Sequence, residues 1–161
     1  MTRSVVGLGS SIGDRPSALQ TAVAAIGAHS CAKMLRVSRL YESPPMGQSA
    51  RGAFLNGAVL IDWNGTPFEL LVFLQSIEKR LGRRKSVRWG DRVLDADILW
   101  MEGVEVRQPD LVIPHPGLAD RNFALWPLLD VLPDAVERYG VTTAQHLRKM
   151  KAPTAIGVLA A

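Results

Sequence analysis

The chain predicts an α+β fold: a ferredoxin-like βαββαβ core with a mainly antiparallel sheet and added C-terminal helices. Three observations carry this. Short apolar runs alternate with two segments of helical periodicity in the order strand, helix, strand, strand, helix, strand. Both helical segments open on capping signals, Asp14 with Pro16 and Thr66-Pro67-Phe68-Glu69. A length of 161 residues, 47% of them apolar, suits one domain over 1–161 with a substantial core. The order of elements places the two helices on one face of the sheet.

The elements follow in sequence. Val5, Val6 and Leu8 form a first strand that ends among Gly7, Gly9 and Gly13. Leu19, Ala22, Val23 and Ile26 recur at helical spacing, so the helix after Asp14 buries one stripe. Lys33 to Glu42 reads as a second strand with imperfect alternation. Ser43 to Gly52 is a loop stiffened by Pro44 and Pro45. Phe54 to Asp62 is a third strand. Leu70, Phe73, Leu74, Ile77 and Leu81 mark the buried stripe of the second helix, which stops at Gly82. A fourth strand carries Asp95 and Asp97, and Gly103 turns it into a hairpin through Val104 and Val106. Leu111 to Gly117 is expected to be irregular, because Pro114 and Pro116 lack amide donors. Phe123 to Val131 predicts a short apolar helix and Thr142 to Met150 another, with frayed residues after Lys151.

Composition narrows the function classes. No stretch approaches the roughly 20 apolar residues of a membrane helix, and the first residues lack a signal-peptide core. The single cysteine, Cys31, excludes an internal disulfide framework and suits a reduced compartment, so a cytoplasmic location is expected. The net charge of +4 fits anionic small molecules and nucleic acid equally. No coiled coil or exposed apolar helix calls for a partner, and a monomer is expected.

The chemistry concentrates between Arg83 and Leu99. Arg83, Arg84, Lys85, Arg88 and Arg92 form a cationic loop. Asp95 and Asp97 alternate with Leu94, Ala96 and Ile98, so the two carboxylates face the same way, about 7 Å apart along the strand. Carboxylates so close repel each other unless a cation lies between them. Magnesium is the natural candidate, because it takes carboxylate oxygens, water and substrate phosphates. Guanidinium forks beside it match a polyphosphate. The competing reading is an edge strand with a wet polar face beside a solvated charge run.

Other motifs divide the readings. Gly7-Leu-Gly9-Ser-Ser-Ile-Gly13 is one residue too long for a dinucleotide fingerprint. Gly9-Ser-Ser11-Ile-Gly13 has the spacing of a nucleophile elbow, with Asp110 and His115 following, but the chain is short for that hydrolase fold. Neither a Walker-type loop nor a zinc-like cluster is present in the sequence.

Arg88-Trp-Gly-Asp-Arg92-Val-Leu-Asp95-Ala-Asp97-Ile-Leu resembles the signature of the 6-hydroxymethyl-7,8-dihydropterin pyrophosphokinase family of folate biosynthesis. Leu8-Gly-Ser-Ser-Ile-Gly-Asp-Arg15, Ser43-Pro-Pro-Met-Gly47, Phe54-Leu-Asn56 and Pro114-His115 match further motifs of that family in order and spacing, from Val6 to about Pro133. The resemblance implies magnesium-dependent transfer of pyrophosphate from ATP to a reduced pterin, releasing AMP. It implies that Asp95 and Asp97 hold two magnesium ions. Arg83 or Arg84, Arg92, His115 and Arg121 would offset phosphate charge, and Gln75, Glu78, Arg88 and Ile98 would lie at the nucleotide. Pro44 and Pro45 would border the pterin pocket, with Asp95 also at the pterin. Asn56 would hydrogen-bond the ring edge, Phe54 and Phe123 would stack on its two faces, and Trp89 would close over the substrates. Without the resemblance, both phenylalanines read as core and Gln75 and Glu78 as a solvated helix edge.

The sequence also departs from the family pattern at Ser11, Asp91, Ala96, Asp110, Val112 and Pro116. These departures imply altered ATP contacts or a different pterin. Two alternatives stay open: a paralogue that binds a pterin with little turnover, and an RNA-binding ferredoxin-like module using the basic loop and Trp89. Acidic residues within the proposed surface count against RNA, so neither nucleic acid nor a membrane is expected as a partner.

Overall fold

A computed structural model describes residues 1–43, 54–82, 93–116, 118, 122–134 and 155–159, and of residues 43, 122 and 123 the backbone alone. The elements run β1 (Thr2–Ser10), α1 (Arg15–Ala28), β2 (Ala32–Val37), β3 (Arg39–Ser43), β4 (Phe54–Trp63), α2 (Pro67–Arg80), β5 (Asp95–Met101), β6 (Val106–Gln108), β7 (Leu111–Ile113), α3 (Asn122–Val131) and β8 (Ala155–Val158). The main sheet has the order β5-β1-β4-β3-β8, with β2 also on β4. Its described pairings are antiparallel. Counting β2 and β3 as one interrupted strand, this is the expected ferredoxin-like order.

Local chemistry accounts for both long helices. Asp14 accepts a hydrogen bond from the Ser17 amide at 3.1 Å, and Thr66 accepts one from the Glu69 amide at the same distance. Each satisfies an amide that the first helical turn leaves without a partner. Beyond α2, Gly82 has φ +87°, a left-handed conformation that favours glycine and ends the helix.

The expected strand over 33–42 is two strands, because Ser38 interrupts the ladder. Its hydroxyl accepts from the Ala58 amide at 2.7 Å and donates to the Arg39 carbonyl at 2.7 Å. Val37 pairs with Val59 but Tyr41 with Asn56, so this side carries one extra residue. The hairpin expected around Gly103 is also displaced. Gly103 does turn the chain, at φ +68°, but β6 pairs with β7, and Leu111–Ile113 is therefore a strand and not irregular. The residues expected to fray after Lys151 include β8, which pairs with β3. The helix expected over 142–150 lies outside the described residues.

Both faces of the sheet are covered, where the order of elements alone predicted helices on one. Leu19, Val23 and Ile26 of α1 and Leu70, Leu74 and Ile77 of α2 pack with Val6, Leu8, Val59, Ile61, Ala96 and Ile98. On the opposite face Leu125, Leu128 and Val131 of α3 pack with Val5, Ala58, Leu60, Leu99 and Trp100. Leu55 to Ile61 of β4 are consequently all buried, as expected for a strand covered on both sides.

Candidate active site

The register of the sheet assembles a row of side chains on the α3 face. Asp95 of β5 stands opposite Gly9 of β1, Gly9 opposite Asn56 of β4, and Asn56 opposite Tyr41 of β3. Directly opposed residues share a face. Asp97 stands opposite Gly7, one step along the same face. Between Asp95 and Asn56 the floor is thus the bare backbone of Gly9, a slot two strand spacings or about 10 Å wide, whereas the Leu99 side chain covers Gly7. A side chain on Gly9 would begin 3.4 Å from Phe54 Cδ1 and 3.5 Å from Asn56 Oδ1, so Phe54 and Asn56 border the slot. Asp97 is exposed and Asp95 half-buried.

Asn56 is 5% exposed, and its Nδ2 donates to the carbonyls of Phe54 at 3.2 Å and Tyr41 at 3.4 Å. Two backbone acceptors orient the amide group, and its oxygen lies on the Gly9 side.

The nucleotide candidates separate. Gln75 is exposed on α2, but Glu78, three residues on, is buried and accepts from the Ala96 amide at 3.1 Å. The solvated edge expected of this pair therefore holds for Gln75 alone. Ala96 and Ile98 point into the α1–α2 core, so the Ala96 departure changes core packing beside Glu78 and leaves the Asp95–Asp97 face as it was. What Ile98 can offer a ligand is its backbone. His115 comes to β5, its amide donating to the Leu99 carbonyl at 3.0 Å. Asp110 lies in the β6–β7 turn, Val112 and Pro116 are exposed, and Ser11 is 7% exposed beyond β1. Pro44, Pro45, Arg83, Arg84, Arg88, Trp89, Asp91, Arg92 and Arg121 lie outside the described residues, as does the Phe123 side chain.

A cluster that sequence reasoning missed flanks this row. Asp130 of α3 accepts hydrogen bonds from the Arg39 amide at 3.1 Å, Arg39 Nε at 3.2 Å, Arg39 Nη2 at 2.8 Å and Tyr41 Oη at 2.8 Å. Burial pushes the Tyr41 phenol up to about 12, aided by its hydrogen bond to Asp130. Burial alone would raise the Asp130 carboxyl, but the hydrogen bonds from Arg39 and Tyr41 outweigh it and hold the group below its ordinary range. The available signal was one acid within the apolar run Leu128-Leu129-Asp130-Val131.

Residues 5–133 match the family described as 7,8-dihydro-6-hydroxymethylpterin-pyrophosphokinase. The chain belongs to this family. A 2-amino-4-hydroxy-6-hydroxymethyldihydropteridine pyrophosphokinase of Methylorubrum extorquens is 42% identical over 93% of this chain and 94% of its own length. Its namesake in Bacillus subtilis is 42% identical over 78% of this chain and 75% of its own. Among solved structures, the HPPK-DHPS of Plasmodium falciparum superposes with a TM-score of 0.60 at 15% identity, covering 83% of this chain, and supports the fold. This chain spans 41% of that longer polypeptide.

The pyrophosphokinase family works with ATP and magnesium, and the slot has a donor set suited to that ion. Two carboxylates on one face of an edge strand, one of them exposed, leave room for the waters and phosphate oxygens that magnesium retains. Among the described residues no group of three His, Cys, Asp or Glu side chains could hold a metal. A site completed by substrate oxygens needs no third protein ligand.

Proposed function

We propose that this protein transfers the pyrophosphoryl group of ATP to the hydroxymethyl oxygen of 6-hydroxymethyl-7,8-dihydropterin, in folate biosynthesis. The pterin oxygen bonds to the β-phosphorus, the bond from that phosphorus to the α-phosphate bridging oxygen breaks, and AMP leaves. The hydroxyl proton is released. The observation that carries the reading is the slot in which Asp95 faces Asn56 across the bare backbone of Gly9, with Asp97 one step along the same face of β5.

Asp95 and Asp97 would hold two magnesium ions. Bound there, the metal would supply electrostatic stabilisation of the phosphates and orientation of the hydroxyl. The chain's own groups do the rest. The glycine floor lets a flat ring approach the backbone, and Phe54 offers an aromatic face. Asn56 Oδ1 accepts a hydrogen bond from the ring edge. Pro44, Pro45, Trp89 and Phe123 would complete the pterin pocket. Gln75, Glu78, Arg88, the Ile98 backbone and His115 would lie along the nucleotide. Arg83, Arg84, Arg92 and Arg121 would offset charge on the triphosphate and on departing AMP. Positioning and electrostatics supply most of the rate in such transfers. The enzyme would act as a monomer on these two small molecules.

The test follows AMP by chromatography with magnesium, ATP and the pterin. AMP release should depend on the pterin, and Asp97→Ala should lower kcat by on the order of a hundredfold or more. Because Asp97 is exposed, its melting temperature should stay near that of the parent. An active Asp97→Ala variant would sink the mechanism. Pterin binding without AMP would leave a binding protein on the same fold.

A further inference from the structure

We propose that Asp130 is a positioning residue for the pterin slot: it holds β3 against α3, and β3 in turn fixes the Asn56 amide group. This rests on the pterin reading of the slot. Among the described residues the ladder between β3 and β4 has three residue pairs, Tyr41 with Asn56, Glu42 with Leu55 and Ser43 with Phe54. A ladder entered through the bulge at Ser38 gains from a further anchor. Asp130 supplies it with both carboxylate oxygens. Oδ2 takes the Arg39 amide, Arg39 Nε and the Tyr41 hydroxyl, and Oδ1 takes Arg39 Nη2. Backbone and side chains of β3 are thereby fixed to one group on α3.

The connection to the slot is short. Tyr41 is 3% exposed, and its carbonyl accepts from Asn56 Nδ2. If β3 slides or tilts, that acceptor leaves and the amide loses one of the bonds that orient it. Asn56 Oδ1 then no longer has a fixed place over Gly9. Asp130 touches neither substrate nor phosphate in this account, and its influence passes through Tyr41.

The test combines a ligand-free readout with kinetics. In 15N-labelled protein the Asn56 side-chain amide resonances, assigned by their loss in Asn56→Ala, should move in Asp130→Ala and less in Tyr41→Phe. The pterin KM of Asp130→Ala should rise about tenfold or more. Its kcat and ATP KM should stay within about threefold, and Asp130→Glu, which keeps the carboxylate, should recover part of the loss. Ile61→Val, a destabilising change in the opposite core layer, should move neither readout. Unmoved Asn56 resonances in Asp130→Ala, or a pterin KM no higher than that of Ile61→Val, would overturn the proposal. If the parent protein gives no pterin-dependent AMP, the functional reading falls, and the resonances still decide whether Asp130 orients Asn56.

Discussion

A methyl group at Gly9 would meet Phe54 Cδ1 at 3.4 Å and Asn56 Oδ1 at 3.5 Å, ordinary contact distances. Gly9→Ala should therefore fold with a melting temperature close to that of the parent, while its methyl occupies the slot floor and raises the pterin KM. Thermal melts and initial rates check the two halves separately. Tyr41 gives a pH prediction. Its phenol is raised in the folded state to about 12, from an ordinary value of 10.0. The contribution to stability is thus fully present below about pH 10 and lost as the pH rises from there through about 12. Urea midpoints across this range should fall less steeply in Tyr41→Phe than in the parent. Asp130 works in the opposite direction: its lowered carboxyl stabilises the fold above the ordinary carboxylate range, and that is lost as pH falls through its folded value. Asp95, Asp97 and Asn56 were legible in the sequence, the first two from strand alternation and Asn56 from a motif. Tyr41 and Asp130 were not, because their meeting depends on how α3 lies on β3, which no local pattern encodes.

At the scale of elements, capping chemistry made α1 and α2 readable to within a residue or two at their starts, since Asp14 and Thr66 act locally. Strand limits were harder. The break at Ser38 arises from a side-chain hydroxyl replacing a ladder partner, and the pairing of β6 with β7 depends on a turn beyond Gly103. β5 is the end strand of the main sheet, and its outer polar groups find partners elsewhere. The Ala96 amide donates to Glu78 of α2, and the Leu99 carbonyl accepts from the His115 amide. Glu78→Ala should strand the buried Ala96 amide and cost about 1–3 kcal/mol. Glu78→Gln, which retains an acceptor oxygen, should cost less. Chemical denaturation of the two variants measures the difference.

For the whole molecule, the ferredoxin-like order was legible because it is written in the alternation of periodicities. The covering of the second face by α3 was signalled only indirectly, by the nearly unbroken apolar run of β4. The strand at the C-terminal end was missed, because Ala155-Ile-Gly-Val158 is too short and too poor in polar contrast to declare a face. Its importance lies in the residue that follows it. Leu159 is 5% exposed and packs in the α1–α2 layer. Leu159→Ala should cost about 2–4 kcal/mol, read as a lower urea midpoint.

The place of β4 also bears on the order in which the chain can fold. β1, β2 and β3 all pair with β4, and β5 pairs with β1. As the polypeptide emerges from the ribosome, residues 2–10 have no strand to join until residues 54–63 follow. They gain their second neighbour only when 95–101 arrive. Contacts this far apart in sequence form slowly, because long loops must close before they are rewarded. The glycine-lined strand at the start of the chain is therefore among the last parts of the sheet to be completed during synthesis, and a nascent chain halted before β5 would leave one edge of it open.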